Sequence, residues 1–168
     1  MPHPLVDQLR FTRREWLRGL EGVSAEDAVS HFGLMNCIGW LVGHLAWHEH
    51  RYWLERAQGQ VLFPQLNESY GYGAAMSTPV LQEMLALWKA VTAAADPYLD
   101  ALTTESLQDQ LLRDGKPMGQ SVGSGLRRMT YHYWFHLGEI LAIRQMLGQT
   151  DLPQYVGDIE AQAPSRPE

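Results

Sequence analysis

Apolar residues recur at helical spacing over four stretches of this chain and predict four long helices. Leu5, Leu9, Trp16, Leu17 and Leu20 follow Pro4 and predict a first helix over about 4–20, its end weakened by Gly19 and Gly22. Ile38, Leu41, Leu45 and Tyr52 predict a second over about 35–58, stopping at Gly59. Thr78, as a cap, and Pro79 open a third that continues through Leu81, Leu85, Trp88, Val91 and Ala95. Pro97 should bend it or start a short continuation to Leu102. A fourth spans about 122–147, opened among Gly123 and Gly125 and closed by Gly148.

The connections read differently. Ser24-Ala25-Glu26-Asp27 has the look of a cap for a single turn. Gly59, Pro64, Asn67, Gly71 and Gly73 break any period, so residues 59–77 form a long loop joining helices that need not be neighbours. Thr104-Glu105-Ser106 caps another short helix to about 112, and Asp114-Gly115-Lys116-Pro117 is a turn. Pro153, Gly157, Pro164 and Pro167 predict an extended, partly mobile tail. No strand of period two stands out, and there is no internal repeat. The expectation is an all-α protein: a four-helix bundle over residues 1–150, then a C-terminal tail over 151–168.

Composition narrows the function classes. With 168 residues, 45% hydrophobic and 19% charged, the chain is long enough for one domain with a real core. A net charge of −6 argues against nucleic acid as the main partner, because a basic footprint is missing. No apolar run is long enough for a membrane span, and the first residues lack the features of a signal peptide. Cys37 stands alone, which excludes an intramolecular disulfide and gives no sign of an oxidising compartment. A cytoplasmic location is therefore expected.

The candidate chemistry is histidine. Five of the seven histidines fall in two short helical segments, His44-Leu45-Ala46-Trp47-His48-Glu49-His50 and His132-Tyr133-Trp134-Phe135-His136. On the fourth helix His132, His136 and Glu139 lie within about 60° of one another. On the second, His44 and His48 share a face with Cys37, Trp40 and Arg51, whereas His50 turns about 160° from His48 toward solvent or a helix contact. Two imidazoles from one helix and one from another make a three-histidine site for zinc, nickel, iron(II) or manganese, with coordination positions left open. Glu139 or Glu49 can accept from the second ring nitrogen of a ligand. Tyr52 occupies the position where an H-E-x-x-H motif starting at His48 needs histidine, and a single cysteine excludes zinc-ribbon chemistry. Cys37 reads as a small buried residue. Tyr70-Gly71-Tyr72-Gly73 is a candidate cover for the pocket mouth, or a dimer contact.

The chain resembles the DinB-like (DinB/YfiT) superfamily of metal-binding four-helix proteins. The resemblance rests on Trp40-Leu41-Val42-Gly43-His44-Leu45-Ala46 with Glu49 five residues after the histidine. It rests equally on His132-x-x-x-His136-x-Gly138, followed by Ile140 and by Ile143-Arg144-Gln145-x-Leu147-Gly148. It covers about residues 5–148. It implies an up-down-down-up helix order and a divalent metal held by His44, His132 and His136. His48 matches none of the family's usual ligands and is left as a pocket residue. Glu139 stands where the family usually has glutamine, which places an extra carboxylate beside the metal as ligand, proton acceptor or supporting group.

By the same resemblance, the metal would bind a small cytoplasmic thiol such as mycothiol, bacillithiol or glutathione as thiolate and deliver it to an electrophilic small molecule. Arg51 could orient an anionic group of that thiol. One rival is metal-dependent hydrolysis, with Glu139 or Glu49 as general base. Another is a non-catalytic metal-binding stress-response protein, stabilised by its ion. The resemblance also allows a homodimer, although no heptad seam marks an interface.

Overall fold

The computed structural model describes residues 1–166, so Pro167 and the end of the expected tail lie outside the described residues. The chain is mostly helical. Its α-helices are α1 (Pro4–Leu20), α2 (Ile38–Glu49), α3 (Gln65–Tyr70), α4 (Leu81–Asp100), α5 (Val122–Met146) and the short α6 (Ile159–Gln162). The four long ones match the four predicted stretches. No helix among the described residues is long and apolar enough to cross a membrane.

Helix α1 starts as its sequence suggests, with Pro4 in the first turn and the His3 ring accepting from the Leu5 amide at 3.1 Å. Val6, Leu9, Trp16 and Leu20 form its buried stripe, and α1 packs chiefly along α5. Gly19 stays inside the helix because a Cβ there would come within 2.4 Å of the Leu137 side chain, so the two helices touch closely at that point. Helix α2 is buried at every position from Ile38 to Glu49 and packs along α4. A helix enclosed on all sides needs a partner for each polar side chain it carries, and α2 carries two histidines and a glutamate.

Glu49 finds that partner in the core. Arg13 of α1 donates to both its oxygens, at 2.8 and 2.7 Å, and Tyr133 of α5 donates at 2.7 Å. Trp88 of α4 donates in turn to the Tyr133 hydroxyl at 2.6 Å, and Arg13 reaches Asp96 at 2.9 Å. Burial opposes the Arg13 charge, yet the Glu49 carboxylate outweighs it and raises the guanidinium pKa above its ordinary value. Burial, with the adjacent Glu49, likewise keeps the Tyr133 phenol protonated. One polar network thus ties the four long helices together. Removing one partner of such a buried pair typically costs about 3–5 kcal/mol.

Several connections depart from the sequence expectations. Past Glu49 the second helix continues as a π-helical segment, His50–Arg56, which apolar periodicity cannot reveal. The expected loop over 59–77 contains α3, a helix too short to show more than the pair Leu66 and Tyr70 on its buried side. Helix α4 begins at Leu81, after Val80, and runs through Pro97 to Asp100, so the proline does not end it. The helix expected up to residue 112 is instead a 3₁₀ turn, Ser106–Gln108, followed by an antiparallel hairpin of β1 (Gln110–Arg113) and β2 (Lys116–Ser121). Asp114 and Gly115 both have positive φ, 52° and 73°, as a tight two-residue hairpin turn requires. Only Leu111 of β1 is buried, and it packs over Gly125 at the start of α5. The segment after Gly148, extended apart from α6, lies against α1: Gln8 donates to the Ala163 carbonyl, Arg18 to the Gln154 carbonyl, and the Gly157 amide to Glu15.

Candidate metal centre

Histidines from α2 and α5 meet in the space between the two helices. His44, His132 and His136 each offer a ligand atom, and these atoms lie within 4.8 Å of one another. The His44 ring centroid is 5.2 Å from that of His132 and 5.0 Å from that of His136. On α5 the Nε2 atoms of His132 and His136 face each other at 2.8 Å.

Two of the three rings are held by acceptors on the side away from the cluster. His44 Nδ1 donates to the Tyr70 carbonyl at 2.8 Å, and His136 Nδ1 donates to a Glu139 oxygen at 2.5 Å. Each bond puts the proton on Nδ1 and leaves Nε2 with its lone pair. Tyr70 reaches His44 because residue 43 is glycine. A Cβ at Gly43 would lie 2.7 Å from the Tyr70 ring. Trp40 stacks on the His44 ring, with centroids 5.1 Å apart and planes 13° from parallel.

Burial, followed by the neighbouring histidines, holds His132 down to about 3. Burial also lowers His44 to about 4, against the pull of the Tyr70 carbonyl. His44 and His132 are therefore neutral at physiological pH, which is the form that ligates metals. The lone pair on His136 Nε2 points at another imidazole nitrogen, and His132 Nδ1 is buried with no partner. A divalent cation fits this all-nitrogen donor set, since it would turn the close approach of nitrogens into coordination.

His48 sits beside the cluster but outside it. Its ring lies 3.9 Å from that of His132 and stacks on Tyr52. Its Nδ1 is buried without a partner, and burial together with the adjacent His132 keeps it neutral. Glu139 is brought to the site as the acceptor for His136. Glu49 is not, because its carboxylate is taken by Arg13 and Tyr133 in the core. Arg51 lies over the Trp47 indole at 4.7 Å, on a wall adjoining the site. His50 is buried, and its Nε2 accepts from the Leu62 and Phe63 amides. Cys37 precedes α2 with its thiol buried and directed at the Ser77 carbonyl, and burial pushes its pKa up. Tyr70 is buried against Trp40, whereas Tyr72 is fully exposed. The Tyr70 carbonyl was not predictable as a partner, because backbone acceptors leave no mark in side-chain pattern.

The DinB superfamily model matches residues 8–140, from the first turns of α1 through most of α5, and includes all three histidines. The chain belongs to the DinB superfamily. No match is found among curated proteins. For this DinB-superfamily protein, His132 is the member of the cluster that lines a surface cavity on the α5 side. A cavity of about 500 Å³ lined by Ser124, Arg127, Arg128, Tyr131 and His132 opens there, and His132 is the least buried of the three histidines.

Proposed function

We propose that this protein holds one divalent ion between His44, His132 and His136 and transfers a small cytoplasmic thiol to an electrophilic small molecule. The scaffold would be a four-helix bundle of up-down-down-up order over residues 1–150. What supports the reading is a three-imidazole set in which the Tyr70 carbonyl and Glu139 pre-orient the Nε2 atoms of His44 and His136. Three protein donors leave coordination positions for an exogenous ligand. A divalent ion bound there keeps a coordinating thiol as thiolate, the nucleophilic form.

The chain's own residues have separate tasks. Glu139 and the Tyr70 carbonyl fix two ring tautomers. Trp40 on one side and Phe135, whose ring lies 5.0 Å from that of His136, shield the histidines. The cavity at Arg127 and Arg128 gives small molecules a path to His132. Hydrolysis ranks second because it needs a free general base. Glu49 is bound by Arg13, and Glu139 already accepts from His136. A thiol would depend less on such a base, since its pKa already lies far below that of water and its proton can pass to solvent.

Cobalt(II) loading tests the reading. Titrating glutathione or cysteine into the cobalt protein should produce a saturable sulfur-to-cobalt charge-transfer band. A cobalt spectrum indifferent to both thiols would contradict thiol transfer while leaving metal binding standing.

A further inference from the structure

Three arginines meet at a cleft that the metal chemistry does not use. The cleft, of about 370 Å³, lies between the π-helical segment and the hairpin, with Trp47, Arg51, Arg56 and Arg113 among its lining residues. Arg56 is only 5% exposed. Arginine is rarely buried without a counter-charge, yet among the described residues none of these three makes a side-chain hydrogen bond or ion pair. Arg51 and Arg56 have only aromatic faces beneath them, Trp47 at 4.7 Å and Tyr52 at 5.0 Å. Glu55 and Asp114 also reach the cleft, but neither forms an ion pair there.

The π-helix explains why these charges converge. Residues five apart sit about 140° apart on an α-helix, whereas i→i+5 bonding brings them to nearly the same side. Arg51 and Arg56 are five apart within His50–Arg56, and both line the cleft. The hairpin turn adds Arg113 from the end of β1. Burial lowers the pKa of both Arg51 and Arg56, and neighbouring arginines lower them further while Tyr52 and Glu55 pull the other way.

We propose that this cleft binds an oxyanion, the carboxylate or phosphate group of a small molecule, gripped by Arg56 with Arg51 and Arg113. Guanidinium forks match the planar or tetrahedral oxygens of such groups and bind them through charge-assisted hydrogen bonds. Trp47 forms the shared wall with the metal centre, since its ring lies 5.2 Å from that of His44 while Arg51 covers it. Asn67 orients the indole by accepting from Trp47 Nε1 at 3.1 Å. The chain that carries the Tyr70 carbonyl to His44 continues as Gly71 and Tyr72 along the cleft. The anion site stands without the metal. Only the further step, that the anion is the far end of the molecule whose thiol or electrophile reaches the histidines, rests on the thiol-transfer reading.

The test is thermal unfolding in a zwitterionic buffer with low-millimolar inorganic phosphate or, in parallel, succinate. Wild type should show a saturable rise in Tm with at least one of them, by linkage to the folded state. Phosphate alone would identify a phosphate group, and succinate alone a carboxylate. Arg56→Met should weaken the apparent affinity about tenfold or more and, having removed an unpaired buried charge, should melt no lower than wild type without anion. Arg113→Gln, on the exposed hairpin, gives the same reading of affinity if Arg56→Met does not fold. The rise should persist in His132→Ala. Absence of a saturable rise in wild type, an undiminished rise in the arginine variants, or loss of the rise in His132→Ala would each overturn the proposal. The last outcome would place the anion on the metal instead.

Discussion

A histidine that serves as a ligand must present one bare nitrogen, and the partner of the other nitrogen decides which it is. Here Glu139 does this for His136 from the same helix, three residues on. Its carboxylate is about one-third exposed, so its loss should leave the fold intact. Glu139→Ala, which leaves His136 Nδ1 without its acceptor, is expected to reduce metal affinity about 10–100-fold, read by chelator competition, with Tm of the metal-free protein nearly unchanged. Unchanged affinity would remove Glu139 from the site.

The same burial makes the metal-free chain sensitive to acid. His44 is lowered to about 4 and His132 to about 3, and burial lowers His50 as well. The unfolded chain takes up protons on these rings near 6.5, while the folded one resists. The stability gained by burying them neutral is therefore complete above that value and is lost as pH falls toward about 4. Tm of the chelated protein should fall steadily between about pH 7 and about pH 5, and a flat profile would contradict the burial of neutral rings. At this scale the shared face of His132, His136 and Glu139 was legible in the sequence, because four- and three-residue spacings on a helix decide what lies together. Glu49 turns to the core instead, and nothing in its own segment announces Arg13, thirty-six positions earlier.

Helix α2 works as an element because its small residues let others approach. Gly43 and Gly138 both belong to the histidine motifs, yet their surroundings differ. A Cβ at Gly43 would strike the Tyr70 ring at 2.7 Å, whereas Gly138 has nothing within 4 Å. Gly43→Ala should push α3 outward, release the Tyr70 carbonyl from His44, and lower stability by about 1–3 kcal/mol and metal affinity by about tenfold. Gly138→Ala should keep the metal and gain a few tenths of a kcal/mol, roughly the helix preference of alanine over glycine. Equal effects of the two substitutions on metal affinity would refute the role given to α3. The long helices were legible because each repeats its apolar stripe over several turns. Helix α3 and the hairpin were not: six residues are too few for a period, and β1 buries only Leu111. The Asp114-Gly115 pair was the available signal for the hairpin, and it reads as a turn of any kind unless strands are already suspected on both sides.

At the scale of the whole molecule, the four long helices are joined by two polar centres of different kinds. The Arg13–Glu49–Tyr133–Trp88 network is complete in itself, since each charge has its partner. The histidine cluster has paired Nδ1 atoms on two rings, while the Nε2 atoms of His132 and His136 approach each other at 2.8 Å and, with His44, could offer three nitrogens to an ion. A bound ion would clamp α2 to α5 and so stabilise the folded state by linkage. The clamp depends on residues nearly ninety positions apart, which is why membership of the DinB superfamily, matched over residues 8–140, and the metal site belong to one account. Elemental analysis of the purified protein and of His132→Ala, with melts taken before and after chelation, tests that account most directly. It predicts about one divalent metal per chain in the wild type, loss of that metal in the variant, and a Tm that falls on chelation and recovers when the ion is restored. No metal in either protein, with a Tm indifferent to chelator and to added divalent ions, would contradict it.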